Sequence, residues 1–287
     1  MQLKYFRLPL ILILAGLIAA CSNQLSTSGN QSSKNTADWK MGVALYSFNM
    51  FPFSATLQKA DSAGAKYVEG FSFHNLKGEF RDSTIGNLST SGLVKMKRLL
   101  DSKGLKMKSM YAGGKDAKEW ESYFKAGKLL GIEFIVCEPA KEHWDLLDSL
   151  GDVYKIKTAI HEHAKGESRY WHPDSVLAAI KGRKNIGACA DLGHWARSGL
   201  DPAKCLNMLR GHILGVHLKD NKPFGNIKAE DVTVGTGNID FKAVVKELKA
   251  QKFNGYIYVE CEHNWENNVP DVAESIRYFN NLANQQN

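Results

Sequence analysis

The sequence predicts a single (β/α)8 TIM barrel, on three observations. Short β-rich apolar segments alternate with amphipathic helical segments from Met41 to the end of the chain. Four of these apolar segments end in His161, Asp191, His217 and Glu260, which are 30, 26 and 43 residues apart. A barrel of eight units uses about 31 residues for each strand and helix. The sequence lacks the Gly-rich turn that follows the first strand of a doubly wound sheet.

The first twenty residues have the pattern of a secretory signal. Lys4 and Arg7 precede an apolar run, Leu8 to Ile18, that is too short to span a bilayer. Ile18-Ala19-Ala20-Cys21 resembles the bacterial lipobox, which implies that Cys21 is acylated and becomes the new N-terminus. Acylation by two chains gives stable anchoring. We therefore expect a signal peptide at 1–20 and a lipid anchor at Cys21, with an ordinary signal cleavage as the alternative.

The remaining chain divides into a tether and one domain. Residues 21–38 are rich in Ser and Asn and predict a flexible tether, which leaves 39–287 for the barrel. We expect the protein to be anchored in the bacterial cell envelope, with Ser22 compatible with the outer membrane and the barrel facing the periplasm. The formal net charge of +7 falls to about +5 once Lys4 and Arg7 are removed. Because the charges are interspersed, they indicate a solvated surface and no nucleic-acid partner.

The barrel elements can be placed by their patterns. Strands are predicted at Val43–Ser47, Tyr67–Phe71, Lys106–Tyr111, Phe134–Cys137, Lys157–His161, Gly187–Ala190, Ile213–Leu218 and Ile257–Glu260. Helices are predicted at Leu93–Ser102, Lys115–Leu130, Pro173–Lys181, Pro202–Arg210, Phe241–Gln251 and Val272–Asn284. The longest irregular segment, Asp220 to Asp240, follows the seventh strand, where a lid or substrate wall is common. The cysteines of the domain form no CxxC pair and predict buried thiols: Cys137, Cys189, Cys205 and Cys261.

The strand tips carry the chemistry. Alternation places His161 and His163 on one side of the fifth strand and sends Glu162 to the other. It likewise groups His217 with Lys219 on the seventh strand. A mixed set of imidazoles and carboxylates suits one divalent ion of Mn, Zn, Fe or Co better than Mg²⁺ or Ca²⁺. The set contains no thiolate, which argues against a structural zinc site.

The motifs at these tips resemble the xylose isomerase-like TIM-barrel superfamily, often labelled sugar phosphate isomerase/epimerase. They are CEP (containing Glu138), AIHEH, ADLGHWARSG, HLKD, VGTGNID and VECEHNWE. Relatives commonly bind one divalent metal through Glu, Asp, His and Glu on strands five to eight, which implies Asp191, His217 and Glu260 as ligands. Strand five departs from this pattern, because His161 stands where the Glu belongs. His161, with Glu138 from strand four, is favoured as the remaining ligand over Glu162.

Further residues at the mouth are candidates for catalysis and for substrate binding. The candidates for proton transfer are His163, His194, Lys219 and Glu262. The resemblance implies that His194 contacts substrate, whereas Glu262 is also compatible with a surface or supporting role. The candidates for substrate binding are Glu69, Trp195 and Trp265. Glu69 is equally compatible with a supporting role behind the site, and the tryptophans with packing at the rim.

The chemistry that the resemblance implies is metal-assisted enolisation of a sugar carbonyl. An enzyme in the cell envelope meets glycosides rather than sugar phosphates, so we expect an unphosphorylated sugar or keto-glycoside. Isomerase, epimerase and 3-keto-glycoside lyase remain open, with the lyase favoured. The alternatives are a non-catalytic sugar-binding lipoprotein and a hydrolase using Glu260 and Glu138. An abasic-site endonuclease is disfavoured, because it needs more ligands and DNA. The oligomeric state stays open.

Overall fold

A closed barrel of parallel strands surrounded by helices forms the part of the chain that the computed structural model describes, residues 39–285. The barrel strands are β1 (Lys40–Ala44), β2 (Tyr67–Phe71), β3 (Lys106–Tyr111), β4 (Phe134–Cys137), β5 (Lys157–His161), β6 (Ile186–Asp191), β7 (Ile213–Leu218) and β10 (Tyr256–Val259). Each strand pairs with its neighbour in sequence order, and β1 closes the ring against β10. The predicted (β/α)8 barrel is therefore confirmed.

The helices fill the positions between the strands. They are α1 (Phe53–Ser62), α2 (Thr90–Ser102), α3 (Ala117–Leu130), α4 (Trp144–Tyr154), α5 (Pro173–Ile180), α6 (Leu192–Arg197), α7 (Pro202–Met208), α8 (Phe241–Ala250) and α9 (Val269–Gln285). Short 3-10 turns occupy Leu45–Phe48, Gly78–Phe80, Ile85–Asn87 and Lys141–His143. The predicted starts after Asp201 and Asp240 are confirmed, because each carboxylate accepts two backbone N–H groups of the helix that follows it. The predictions missed α1, α4 and α6.

Two predicted segments differ from the structure. The first strand was predicted at Val43–Ser47, but β1 ends at Ala44 because the chain then turns into a 3-10 helix. The segment after the seventh strand was predicted to be irregular, yet it contains an antiparallel hairpin of β8 (Asp220–Lys222) and β9 (Glu230–Val232). This hairpin lies next to α6.

Asp220 fixes the turn that follows the hairpin. Its carboxylate accepts the backbone N–H groups of Gly235, Gly237 and Ile239 at 3.0, 2.7 and 3.2 Å. Gly237 is required there, since a Cβ atom would stand 2.3 Å from the Asp220 Oδ1. These amides form the kind of concavity that binds anions. Because they already bind Asp220, the glycines of VGTGNID have a structural role.

The apolar core lies between the barrel and its helices, and a second apolar cluster fills the barrel interior. Phe134 and Tyr256 of this second cluster lie at the N-terminal end of the barrel. The four cysteines of the domain are buried and free, as predicted. Over residues 39–285, no helix combines the length and apolarity needed to cross a bilayer. The predicted signal peptide, Cys21 and the tether lie outside the described residues.

Candidate functional site

Four buried side chains meet at the C-terminal end of the barrel. One ligand atom from each of His161, Asp191, His217 and Glu260 lies within 4.8 Å of all the others. His217 Nδ1 is 3.1 Å from Glu260 Oε2 and 3.6 Å from Asp191 Oδ2, and His161 Nε2 is 3.4 Å from the same Asp191 oxygen. The four tips that the sequence singled out therefore converge. His161, His217 and Glu260 border a cavity of about 330 Å³ that opens at the mouth of the barrel.

One carboxylate oxygen of Asp191 has no hydrogen-bond donor in the described chain. Its Oδ1 accepts the backbone N–H of His194 at 2.9 Å and so caps α6. Its Oδ2 is buried and has no hydrogen-bond donor among the described residues. A buried carboxylate oxygen without a donor is costly. A cation among the four ligand atoms would satisfy it, so the donor set fits a divalent metal ion.

A buried carboxylate holds His217 from behind. Glu69 Oε1 accepts from His217 Nε2 at 2.8 Å, and Ser109 donates its hydroxyl proton to Glu69 Oε2 at 2.6 Å. This arrangement places the proton of a neutral His217 on Nε2 and leaves Nδ1 as the ligand atom. Glu69 is fully buried and does not line the cavity. Its supporting role thus replaces the predicted substrate-binding role.

Glu138 holds His161 in the same way, but it contacts Nδ1 of the His161 ring, whereas Glu69 contacts Nε2 of His217. His161 Nδ1 lies 3.4 Å from Glu138 Oε1, which leaves Nε2 toward Asp191 and His217. The same Glu138 oxygen accepts from Tyr111 at 2.7 Å and bonds His163 Nδ1. Glu138 groups with His161 and His163 rather than with the four ligand atoms. This geometry favours Glu138 as a supporting carboxylate over its predicted role as a ligand.

Glu162 does not join the site. It is fully buried, neither of its oxygens forms a hydrogen bond with the described residues, and it does not border the cavity. Burial raises its pKa well above the ordinary range, and the nearby Asp191 carboxylate adds to the rise. Glu162 is therefore a neutral acid, and His161 is the strand-five residue whose ring groups with Asp191, His217 and Glu260.

Lys219 is an ammonium within the site. Its Nζ lies 2.5 Å from Glu262 Oε1, 3.0 Å from Glu260 Oε2 and 3.7 Å from Asp191 Oδ2. Burial lowers its pKa, but the three surrounding carboxylates outweigh burial and raise the pKa well above its usual value. Lys219 can therefore donate a proton or stabilise negative charge, but it is not a base in this arrangement.

The two remaining histidines differ in their contacts. His163 lines the cavity, and because Glu138 binds its Nδ1, its Nε2 is the nitrogen left to accept a proton. His194 also lines the cavity, and burial lowers its pKa well below the ordinary value, so it stays neutral. Its Nδ1 has no hydrogen-bond partner in the described chain. Glu262 borders the same space and is held by Lys219.

The aromatic residues of the cavity are mostly not those predicted. Trp195 of α6 is fully buried in the core and does not line the cavity, which indicates a packing role instead of the predicted contact with substrate. Trp265 is also absent from the lining of the cavity, and its ring contacts that of Tyr46 edge to face, with the ring centroids 5.8 Å apart. One wall of the cavity consists of Tyr46, Phe71, Phe73 and Tyr111.

Sequence reasoning missed this aromatic wall, together with Glu167 and Arg197 on the opposite side. A signal was available, because Phe71 and Tyr111 end β2 and β3 and Phe73 follows two residues later. Arg197 also binds Asp231 of the hairpin at 2.6 Å. The cavity thus combines an aromatic wall with a charged one.

Comparisons with known proteins identify sequences similar to this chain. An inosose dehydratase of Clostridium botulinum is 23% identical over 248 residues, which cover 69% of this chain and 82% of that enzyme. An uncharacterised protein of Methanocaldococcus jannaschii is 32% identical over 108 residues, 36% of this chain and only 34% of that protein.

Solved structures share the whole barrel. An uncharacterised protein of Parabacteroides distasonis is 31% identical and has a TM-score of 0.68, covering 84% of this chain and 98% of that one. The IOLI protein with a bound zinc atom is 18% identical with a TM-score of 0.69, covering 86% and 98%, which shows a common fold. The family model described as Xylose isomerase-like TIM barrel matches residues 57–282. The chain belongs to the xylose isomerase-like TIM barrel family.

Proposed function

We propose that the protein is a divalent-metal-dependent enolising enzyme that acts on an unphosphorylated sugar or keto-glycoside. The observation that carries this proposal is the meeting of His161, Asp191, His217 and Glu260 beside a cavity with titratable side chains. Both histidines are already fixed by carboxylates, and Asp191 has an oxygen without a donor. Such preorganisation is typical of a metal site.

The ligand set suits Mn²⁺, Zn²⁺, Fe²⁺ or Co²⁺, because imidazole nitrogens and carboxylates share the positions. When bound there, the ion supplies Lewis acidity for a substrate carbonyl oxygen and the neighbouring hydroxyl. One structural neighbour contains zinc and another, from Mycobacterium smegmatis, contains magnesium. The chain's own residues must then bind the sugar and move its protons.

His163 is the proposed base. Its Nδ1 is held by Glu138, so Nε2 faces a substrate in the cavity. The Glu138 carboxylate also stabilises the imidazolium that forms when His163 takes the proton next to the carbonyl. Burial disfavours an ionised Glu138, but His161 and His163 outweigh burial and hold its pKa far below the usual range. Glu138 therefore remains a carboxylate through the reaction.

Lys219 is the proposed acid. For a 3-keto glycoside, His163 removes the C2 proton, the electron pair of that bond forms the C1–C2 double bond, and the C1–oxygen bond breaks. The departing oxygen takes a proton from the Lys219 ammonium, which Glu260 and Glu262 hold in place. The products are an unsaturated keto-sugar and the free alcohol of the aglycone, with no water consumed. This outcome is a lyase reaction.

Two observations favour elimination from an unphosphorylated substrate. The relatives of this chain include several named inosose dehydratase, and a dehydratase is an eliminating enzyme. The amides of the glycine turn after the hairpin are bound to Asp220 instead of facing a phosphate. Isomerisation or epimerisation would use the same base, with proton return to carbon in place of loss of the leaving group.

The alternatives are less consistent with the site. A hydrolase that uses Glu260 and Glu138 needs one of them protonated at neutral pH. Burial opposes the ionisation of Glu260, but Lys219 and His217 hold its pKa far below the usual value, so both groups are carboxylates. A non-catalytic sugar-binding protein has no need for buried histidine–carboxylate pairs, which cost desolvation energy.

We also propose that Cys21 anchors the protein to the membrane of the cell envelope, with the barrel on the periplasmic side. The lipobox-like motif and the polar segment after it support this location. It brings the enzyme into contact with glycosides.

The test is incubation of the protein with a panel of 3-keto glycosides in D2O, after chelation and after each metal is restored. We expect aglycone release that requires metal. Deuterium incorporation without cleavage would instead assign an isomerase or epimerase. Cleavage that survives chelation would contradict the proposal and indicate the hydrolase.

A matched pair of variants assigns the base. His163→Gln should abolish aglycone release while metal content is retained. His212→Gln changes an exposed histidine at the other end of the barrel and serves as the control. Equal rates for the two variants would remove His163 from the mechanism.

A further inference from the structure

The N-terminal end of the barrel carries a concentration of lysines. β1, β3 and β5 begin with Lys40, Lys106 and Lys157, and Lys66 directly precedes β2. Among the residues that begin or directly precede the barrel strands, Glu133 is an acid, and it is already paired with Lys108 at 3.2 Å. This end of the barrel is therefore strongly positive. We call it the basic face, defined by Lys40, Lys66, Lys106, Lys155, Lys157 and Lys252.

Most of these lysines lack a partner. Lys66, Lys106, Lys155, Lys157 and Lys252 are exposed, and none forms an ion pair with a described residue. A lysine in the last turn of a helix can be explained by the helix dipole. Lys66, Lys106 and Lys157 are not in helices, so that explanation does not apply to them. Unpaired like charges on one face cost self-repulsion unless an anionic partner lies against them.

A cavity at the same end adds a place for an anionic group. It has a volume of about 320 Å³, and its lining includes three lysines, Lys40, Lys155 and Lys157, against one acid, Glu133. Lys40 Nζ lies 4.6 Å from the centre of the Tyr256 ring, which also lines the cavity. The cavity is separate from the metal-binding cluster, which lies at the opposite ends of the strands.

The chain enters the barrel on this face. Trp39 donates its indole N–H to the carbonyl of Phe253 at 2.8 Å, and Lys40 bonds the carbonyl of Gly255. Both acceptors lie just before β10, at the N-terminal end of the barrel. Seventeen residues, Ser22 to Asp38, separate Trp39 from the proposed lipid anchor at Cys21. Along the chain, the basic face is therefore the end of the barrel that follows the proposed anchor.

The charges at the opposite end of the barrel are compensated. Lys219 lies between Asp191, Glu260 and Glu262, and Glu138 contacts His161 and His163. A negatively charged surface would therefore attract the unpaired lysines of the basic face more strongly than the mouth. The charge distribution thus favours one orientation.

We propose that the basic face docks on the anionic phospholipid headgroups of the membrane in which Cys21 is anchored. Docking holds the mouth of the barrel away from the bilayer and open to substrate. This inference rests on the proposed anchor but not on the reaction. Each lysine close to an anionic surface strengthens binding about fivefold, and salt within a Debye length screens the effect.

The experiment uses the full mature chain with acylated Cys21, inserted into vesicles of phosphatidylcholine alone or of phosphatidylcholine mixed with phosphatidylglycerol. A membrane-impermeant amine reagent labels exposed lysines, and peptide mass spectrometry gives the rate at each site. We expect Lys66, Lys106 and Lys157 to be labelled at least about tenfold more slowly on the anionic vesicles. Lys115 and Lys118, at the start of α3 near the mouth, should keep their rates. High salt should remove the protection.

Matched variants make the result specific. The combined variant Lys66→Glu, Lys106→Glu, Lys157→Glu should lose orientation, seen as equal protection of both ends. The combined control Lys115→Glu, Lys118→Glu, Lys141→Glu changes the net charge by the same amount and should keep the orientation. Unchanged labelling of the basic face on anionic vesicles overturns the proposal. The proposal is also overturned if inorganic phosphate, nucleic acid or a second copy of the protein protects these lysines from labelling on neutral vesicles. Unaltered lyase activity in the first variant shows that the proposed reaction stands apart from this result.

Discussion

The two ends of the barrel use the same strands for different purposes. At the N-terminal end the interior holds Phe134 and Tyr256, whose rings lie 5.9 Å apart. At the C-terminal end the same interior holds Asp191, His217 and Glu260, all buried. Apolar packing stabilises the fold, whereas burial of polar groups costs free energy unless they are paired. One end therefore supports the structure, and the other holds the chemistry at a cost to stability.

The strongest test of this contrast changes one carboxylate at the mouth. Asp191→Asn keeps the shape and the cap of α6 but removes the charge that faces the other ligand atoms. Metal binding should be lost and turnover should fall on the order of a thousandfold. Burial raises the pKa of Asp191, but Lys219 and the neighbouring histidines outweigh burial and hold that pKa well below its usual range. The free energy of unfolding without metal should therefore fall modestly when the charge is removed, since Asn keeps the cap of α6. Metal titration, turnover and urea denaturation measure the three quantities, and a severe loss of stability would contradict the contrast.

The counterpart at the other end is Phe134→Ala. Phe134 is 3% exposed, and its ring lies against Gly215, where an added Cβ would be 3.1 Å away. Truncation should reduce the free energy of unfolding by about 3–5 kcal/mol. Turnover per folded molecule should stay near the wild-type value. Urea denaturation and turnover at low temperature check both parts, and normal stability with lost turnover would reverse the assignment of the two ends.

A smaller change sharpens the role of the carboxylates behind the ligands. Glu69→Gln keeps an acceptor for His217 Nε2 but removes its charge. We expect metal affinity to fall about 10- to 100-fold. Isothermal titration with the metal alone gives the value, and Glu133→Gln at the basic face is the control. Equal affinities of the two variants would show that Glu69 only fills space.

The sequence predicts the roles of these residues only in part. The metal-capable tips were predictable because alternation and spacing place Asp191, His217 and Glu260 at equivalent strand ends. The support given by Glu69 was not, since the contact joins β2 to β7 across 148 residues of sequence. The role of Trp195 stayed open between substrate contact and packing, because a sequence shows that a residue is near a strand tip but not which way its side chain packs. The hairpin of Asp220 was missed because its strands are only three residues long.

The smallest expected effect concerns an imidazole at the mouth. His74 stacks on Tyr46 and Phe71, with ring centroids at 4.9 and 5.3 Å. Burial lowers its pKa from 6.5 to about 4. The unfolded chain therefore binds a proton on this residue below pH 6.5 while the folded chain does not. The free energy of unfolding is therefore undiminished by this group above pH 6.5 and falls as the pH drops to about 4. The decrease is about 1–2 kcal/mol after allowance for partial exposure.

The variant His74→Phe keeps the stack but cannot titrate. Its free energy of unfolding should fall less than that of the wild type between pH 6.5 and about 4. Denaturation with urea at a series of pH values measures the difference. Parallel curves for the two proteins would assign the acid sensitivity of the mouth to other groups.

The central claim is that four strand tips hold one divalent cation. Anomalous diffraction from crystals grown with Mn²⁺ or Zn²⁺ tests it most directly. We predict one strong peak bounded by His161 Nε2, Asp191 Oδ2, His217 Nδ1 and Glu260 Oε2. No peak at saturating metal, or a peak held instead by Glu138 and His163 or by Glu69 and Cys189, would contradict the account.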